Sequence, residues 1–502
     1  MDRLATGYPS RQQVDHRSGP VHQGRPELPA PAGAGGEVHP GGLADGGTAD
    51  PGGRHLPLHA PRRAPRGGSG RQRPRPLPAG GVTETDRFPT LDEIGKTARD
   101  LATRHPDRAR LLTVGQSRAG QPLELLTVDD APRRALVVAG AHSNECVGGA
   151  TVLELARRVL AEPAEEHGIG WDFLLCLDPD GARLVECAGE QPEDLLAHLR
   201  GLFRPAGEEQ PEWAPSVGAA PPESEALLRV IEERRPFLQC SLHGTDVGGT
   251  FVQTTRHLPG LERTLTASAT ELGIPVEDGP YDAFYWPSPA PGIFVMPPSP
   301  PDERRTHTHA SSRELGTTTW HAPTHYGGET VIAEVPQWTS WSLADPTPCP
   351  DPGPALTAAA DRLRSRAHLL SGLLARLRDH GPLTRGARSA LSACAPLADE
   401  WDPRVSLPGG PQLPPVLSGG RVASLELWSH RIPLRAAAML RRCADAPSDA
   451  ELHNRLDGLL RAWCAEYAAR FTPQWLPIDR QVEHQIRLVR AAASLATANL
   501  RH

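Results

Sequence analysis

The stretch Ala135-Leu136-Val137-Val138-Ala139-Gly140-Ala141-His142-Ser143-Asn144-Glu145-Cys146-Val147 decides how this chain is read. Its first residues form a short apolar run closed by a glycine, which marks a buried strand. It leads into Val147–Leu160, where apolar positions recur at helical spacing. Between strand and helix stand a histidine and a glutamate separated by two residues. A second histidine, His243, follows the apolar run Phe237-Leu238-Gln239-Cys240-Ser241-Leu242, and Glu334 follows Val331-Ile332-Ala333. Two imidazoles and one carboxylate form the ligand set of a catalytic zinc that keeps one position open for water. A further glutamate can take that water's proton. Scattered polar strand ends would look the same one at a time. These four share a context, because each stands at or near the carboxyl end of a predicted strand, where open α/β sheets gather their ligands.

Working outward, Leu91–His105 reads as a helix, and Ala109–Val114 and Leu123–Val128 read as strands joined through Ser117-Arg118-Ala119-Gly120. Phe173–Leu177 is a further strand and Ser224–Arg234 a further helix. Strands alternating with helices predict an α/β fold with a mixed sheet. The segment Ser288–Tyr326 is a loop rich in Pro, Thr and His. After Pro350 the chain is rich in Ala, Leu and Arg at helical spacing, in Ala355–Arg378, Glu451–Phe471 and Val482–Ala496, with a Pro/Gly-rich interval at Val405–Gly420. A helical cap on the catalytic domain is the favoured reading of that region.

Composition narrows the function. The chain has 502 residues and a net charge of -7, which gives no case for nucleic acid or an anionic membrane. No run of about 18 apolar residues is present, so no transmembrane helix is predicted. The N-terminus shows no apolar signal core, and the expected setting is cytoplasmic. The eight cysteines include no Cys-x-x-Cys pair and read as thiols in a reducing compartment. Lys96 is the sole lysine, so a Schiff-base lysine elsewhere is excluded, and no Gly-x-x-x-x-Gly-Lys-Ser/Thr loop occurs. Residues 1–85 are dominated by Gly, Pro, Arg and His and cannot bury enough apolar surface to order. They are expected to be disordered, and a start codon placed too early or a frame shift, with the native chain beginning near Val82, would account for them.

Taken in order, several short motifs resemble the zinc carboxypeptidases of the carboxypeptidase A/B-like (funnelin) group. They are Thr90-Leu91-Asp92-Glu93-Ile94, Val114-Gly115-Gln116-Ser117-Arg118-Ala119-Gly120, His142 with Glu145, Leu177-Asp178-Pro179-Asp180-Gly181, Pro222-Glu223-Ser224-Glu225-Ala226, Ser241-Leu242-His243-Gly244 and Glu334-Val335-Pro336. The resemblance spans about Phe88 to Trp338. It implies a mixed sheet of the eight-stranded type flanked by helices, in a catalytic domain over 86–345 with a helical extension over 346–502. It implies that His142, Glu145 and His243 hold one zinc per chain and that Glu334 is the general base. The substrate would be a peptide shortened at its C-terminus. A small amide, as in the aspartoacylase/succinylglutamate desuccinylase-like deacylases, is the alternative substrate, and a non-catalytic binding module is the alternative without chemistry.

The chain departs from the family at one point. It lacks the Asn-Arg pair that precedes the second histidine in typical members. Arg204 is the first candidate for a substrate arginine and Arg183 the second, and the acid-rich run Glu208-Glu209-Gln210-Pro211-Glu212 can alter the specificity pocket. Tyr326, in Pro323-Thr324-His325-Tyr326-Gly327, is the candidate for the family's mobile tyrosine, while Tyr281 and Tyr285 read as core residues.

Overall fold

The computed structural model describes residues 87–163, 168–185, 193–297, 316–378, 380–407, 413–445 and 447–499. The segment 1–85, Cys187 and part of the 288–326 loop lie outside them. Among the described residues nine strands form one mixed sheet: β1 Ala109–Gln116, β2 Pro122–Val128, β3 Arg134–Val138, β4 Gly170–Leu174, β5 Leu238–Gly248, β6 Phe251–Thr254, β7 Ile293–Val295, β8 Glu329–Thr339 and β9 Gln474–Trp475. Eight run in the order β1-β2-β4-β3-β5-β8-β6-β7, and β9 adds to the far end of β8. The four central strands β4, β3, β5 and β8 are parallel, and antiparallel pairs flank them. The α/β class with a mixed sheet therefore holds. β4 begins three residues before the expected Phe173, and β5 and β8 continue well past His243 and Glu334, so these two residues lie mid-strand.

Helices cover the sheet according to its pleat. Alternate residues of a strand face opposite sides. Leu238, Cys240 and Leu242 of β5 and Val331, Ala333 and Val335 of β8 enter one core with α1 (Leu91–Arg104), α2 (Val147–Ala161) and α6 (Leu261–Leu272). The helix α1 starts at a capping box in which Thr90 accepts from the Glu93 amide and Glu93 accepts from that of Thr90, the local reason for the helix boundary. On the other face, Leu125, Leu136, Val138 and Leu174 pack against Leu227, Val230 and Ile231 of α5 (Pro222–Arg234). The short helices α3 (Pro179–Val185) and α4 (Leu195–Gly201) lie in the connection between β4 and α5.

The chain after Pro350 does two different things. The helices α7 (Gly353–Leu374), α8 (Pro382–Trp401), α9 (Gly419–Cys443) and α10 (Ala450–Phe471) pack on one another around Leu363, Leu370, Trp401 and Leu425. The last helix, α11 (Ile478–Asn499), returns to the sheet and contributes Val482, Ile486, Val489 and Ala493 to the core shared with α2 and α6. The expected extension over 346–502 thus divides: α7–α10 form a bundle inserted between β8 and a final helix that belongs to the sheet. Sequence periodicity marked α11 as amphipathic but carried no information on which apolar face it would meet.

A buried polar network joins α11 to the sheet. The Thr250 hydroxyl donates to the Glu334 carbonyl at 2.7 Å, so it accepts from His484 Nε2, 2.8 Å away. His484 Nδ1 then accepts from Ser268 Oγ at 2.8 Å. That neutral form is favoured by burial, which lowers the His484 pKa from 6.5 to about 3. Its stabilising contribution is complete above pH 6.5 and is lost as pH falls toward 3, because the unfolded chain then binds a proton that the folded chain refuses. His484→Gln should therefore melt at a pH-dependent temperature with a shallower acid slope than the wild type between pH 6.5 and 3, measured by calorimetry; parallel slopes would show that His484 is not a source of acid sensitivity.

No helix among the described residues is long and apolar enough to cross a membrane.

Candidate metal centre and substrate cavity

A difference in strand length creates the site. β3 ends at Val138, opposite Ser241, whereas β5 runs on to Gly248. Beyond Ser241 one flank of β5 has backbone groups with no strand beside them, and these must find other partners. The loop after β3 turns through Gly140 (φ 63°), where a Cβ would stand 2.7 Å from Cys176 Sγ, and carries Glu145 back to β5. Gly244 N–H donates to Glu145 Oε2 at 3.2 Å, and the His243 carbonyl accepts from Gln485 Nε2 of α11 at 2.8 Å. β5 and β8 pair with His243 directly opposite Glu334. Both side chains rise from the face opposite Leu242 and Ala333, beside Ser241 and Ile332.

Four predicted residues meet there, all buried: His142, Glu145, His243 and Glu334. Nitrogen and carboxylate ligand atoms of His142, Glu145 and His243 lie within 4.8 Å of one another. Glu145 Oε1 is 2.9 Å from His142 Nδ1, Glu145 Oε2 is 3.1 Å from His243 Nδ1, and Glu334 Oε1 is 3.9 Å from His243 Nδ1. Among the described residues Glu334 Oε2 is buried with no hydrogen-bond partner. A convergent His-Glu-His set, buried and beside an orphaned carboxylate oxygen, fits a zinc ion by donor type and number.

The electrostatics follow from crowding charges away from water. Burial lowers the His142 pKa to about 4, helped by the Arg204 guanidinium. Burial would also lower that of His243, but Glu145 and Glu212 on its two nitrogens raise it well above the ordinary value. Glu145 would be raised by burial, yet the two imidazoles hold it well below the usual carboxylate range. Burial pushes Glu334 up to about 8; His243 opposes this, and Glu145 and Asp282 add to it.

Glu212 is the partner that sequence reading missed. It is fully buried and accepts from His243 Nε2 at 2.8 Å, Trp320 Nε1 at 2.8 Å and Ser241 Oγ at 2.7 Å. With Nε2–H committed to Glu212, Nδ1 is the nitrogen of His243 that can offer a lone pair to a metal. The acid-rich run containing Glu212 was visible in the sequence, but nothing local distinguished this glutamate from Glu208, which is exposed. Arg204 also reaches the cluster, donating to Glu145 Oε1 at 2.7 Å, Asn144 Oδ1 at 3.2 Å and His142 Nε2 at 3.2 Å.

The cluster forms one wall of a cavity of about 430 Å³. Trp213, Trp286 and Trp320 line it, and so do Ser389 and Ala393 of α8 and Trp428, Arg431 and Arg435 of α9. The bundle is fitted closely here: a Cβ on Gly386 of α8 would stand 2.2 Å from the Arg204 carbonyl. Asp282 is open to water in the cavity, yet protein surrounds it, and that loss of bulk solvation raises its pKa.

Two expected site residues are elsewhere. Arg183 does not line the cavity; it donates to both carboxylate oxygens of Asp92 at 3.1 and 2.5 Å, because α3 sets it facing α1. Tyr326 is 40% exposed, packs under the Arg235 guanidinium at 5.5 Å and is also absent from the cavity wall. Tyr281 and Tyr285 anchor their loop to the bundle, both donating to Glu400 Oε1 at 3.1 and 2.8 Å.

Residues 94–190 match the family model for zinc carboxypeptidases. The matched segment contains His142 and Glu145 and ends before Arg204, His243 and Glu334, so those three join the site on the geometry given above. Among solved structures, the chain is similar to a metallo-carboxypeptidase from Burkholderia cenocepacia (14% identity, 50% of this chain and 60% of that one, TM-score 0.32). It is also similar to carboxypeptidase A from Helicoverpa armigera (15% identity, 50% of this chain and 65% of that one, TM-score 0.33). The chain thus spans less than two thirds of either relative. No curated protein matches it.

If Glu212 orients a metal ligand, Glu212→Gln should weaken zinc binding by about 10–100-fold in chelator competition, with folding retained. Arg183→Ala should leave zinc affinity at the wild-type value in the same assay, and a loss there would contradict its placement away from the site, against Asp92 of α1.

Proposed function

We propose that this chain is a zinc-dependent amide hydrolase of carboxypeptidase type, with His142, Glu145 and His243 as metal ligands, one zinc per chain and Glu334 as general base. The observation that carries the reading is the register of β5 and β8, which sets a buried glutamate with a free oxygen beside a buried His-Glu-His cluster. Zinc held there supplies Lewis acidity that polarises the scissile carbonyl and acidifies water.

The chain's own residues do the rest. Glu334 takes the proton of the attacking water as the new C–O bond forms at the carbonyl carbon. It returns that proton to the nitrogen as the C–N bond breaks. Burial raises its pKa and so strengthens it as a base, while His243 beside it limits the rise. Arg204, already within hydrogen-bond reach of the cluster, is placed to stabilise negative charge developing on the carbonyl oxygen. The buried surroundings of the cluster strengthen both effects by excluding bulk water.

The substrate is a peptide end or a small amide. Helices α8 and α9 on the cavity wall favour a short substrate, and the tryptophans favour one with an apolar side chain. The cysteine spacing, with no Cys-x-x-Cys pair and no disulfide framework, supports a reducing, cytoplasmic setting.

The test combines metal analysis with a release assay on C-terminal peptides and N-acyl amino acids. Wild-type protein should carry about one zinc and release the terminal amino acid, and chelation should abolish release until zinc is restored. Glu334→Gln should keep its zinc and lose about 10²–10⁴-fold in turnover. Zinc-loaded wild type that cleaves neither substrate class would leave a binding module in place of an enzyme.

A further inference from the structure

Behind the metal-ligand cluster, a buried carboxylate joins elements from across the fold. Asp246 follows His243 on β5 and is 2% exposed. Its Oδ2 accepts from Nε and Nη2 of Arg435 on α9, at 3.0 and 2.8 Å. Its Oδ1 accepts at 3.3 Å from Nδ2 of Asn144, which lies in the loop between His142 and Glu145. His198 Nε2 of α4 is also 3.3 Å from Oδ1. Burial would raise the Asp246 pKa, but Arg435 and His198 hold it well below the usual carboxylate range. It therefore stays an anion that can only accept.

Asn144 stands between that anion and a cation. It is buried, and its Oδ1 accepts from Arg204 Nη1 at 3.2 Å. A guanidinium only donates and a carboxylate only accepts. One orientation of the amide satisfies both neighbours, with Nδ2 toward Asp246 and Oδ1 toward Arg204. Gln337 Nε2 of β8 fixes the backbone there, donating to the Asn144 carbonyl at 2.9 Å. Arg204 in turn donates to Glu145 Oε1 at 2.7 Å. Donors and acceptors thus alternate from Arg435 in the inserted bundle, through Asp246 and Asn144, to Arg204 beside the metal ligands. Members of such a buried network are coupled, so a change at one end is felt at the other.

We infer that Asp246 is a positioning residue for Arg204: it fixes the Asn144 amide, and the amide holds the guanidinium where charge develops on the carbonyl oxygen. This rests on the part given to Arg204 under Proposed function. The charge of Asp246 is what matters. An asparagine in its place has the same shape but can donate or accept, so Asn144 can also turn its N–H groups toward Arg204. Arg435 supplies the counter-charge that a buried Asp246 needs. The bundle therefore acts on the reaction through the back of the site, without touching the reacting atoms.

The test separates position from fold. Asp246→Asn, Asn144→Ala and Arg204→Gln are made singly and in pairs in the full-length protein, and variants that melt cooperatively and hold zinc are compared on a peptide or N-acyl amino acid that the wild type cleaves. Arg204→Gln should lower kcat by about 10²–10³-fold. Asp246→Asn should lower kcat by about 10–100-fold with KM nearly unchanged, because the charge that Arg204 meets develops only in the transition state. Added to Arg204→Gln, it should cost no more than about twofold further, since the residue it acts through is gone. Asn144→Ala leaves the Asp246–Arg435 pair intact and should reproduce both results; it decides the question if Asp246→Asn does not fold. Losses that multiply in the double variants, or wild-type kcat in folded Asp246→Asn, overturn the proposal. Crystal structures of zinc-loaded wild type and Asp246→Asn give a reading that needs no turnover: Arg204 should stay on Asn144 Oδ1 in the first and leave it in the second. That difference in a protein that cleaves nothing would sink the hydrolase reading and leave the positioning chain standing. Cleavage with Arg204 unmoved in the variant would do the reverse.

Discussion

The pairing of His243 with Glu334 across two parallel strands is the constraint on which the rest of the molecule depends. It places an imidazole and a carboxylate side by side on the same face of the sheet and away from water. Groups buried in that way need partners or they change protonation state. Glu145 and Glu212 answer on either nitrogen of His243, His142 and Arg204 answer Glu145, and one oxygen of Glu334 is left unanswered. Among the described residues, the oxygen left without a partner belongs to the group proposed as the general base.

Such a pairing has meaning only if the strands cannot slip. Side chains alternate along a strand, so a shift by one residue would send His243 or Glu334 into the helical core and Leu242 or Ala333 into the cavity. Register is secured from both sides. The apolar residues of β5 and β8 pack against α2, α6 and α11, and Gln485 and Thr250 hydrogen-bond the carbonyls of His243 and Glu334. The final helix α11 therefore holds the His243 carbonyl directly through Gln485 and braces, through His484, the Thr250 that holds the Glu334 carbonyl, although a long insertion separates it from both.

That insertion has its own core, yet it is joined to the site. Gly386 admits the Arg204 carbonyl, Glu400 holds the loop of Tyr281 and Tyr285, and Arg435 neutralises Asp246. These are contacts of backbone and buried charge, which tolerate displacement poorly. The bundle thus acts as a wall of the cavity with fixed geometry, and the residues it presents there line the cavity together with those of the sheet.

The sequence by itself determined the α/β class, the central strands and the residues of the His-Glu-His cluster, because short apolar runs, helical periodicity and a histidine and a glutamate with two residues between them are local patterns. His142, Glu145, His243 and Glu334 were legible for that reason, and Arg204 could be named. Glu212 was not, since its run of acids reads the same whether a member is solvated or buried against an imidazole. Arg183 and Tyr326 were placed by their nearness in sequence to the motifs, and the structure sets them facing α1 and Arg235. Only the tertiary structure decided that α11 covers a face of the sheet and that α9 forms a wall of the cavity. An amphipathic helix records that it has an apolar face, and the surface which that face meets is settled by packing among elements far apart in the chain.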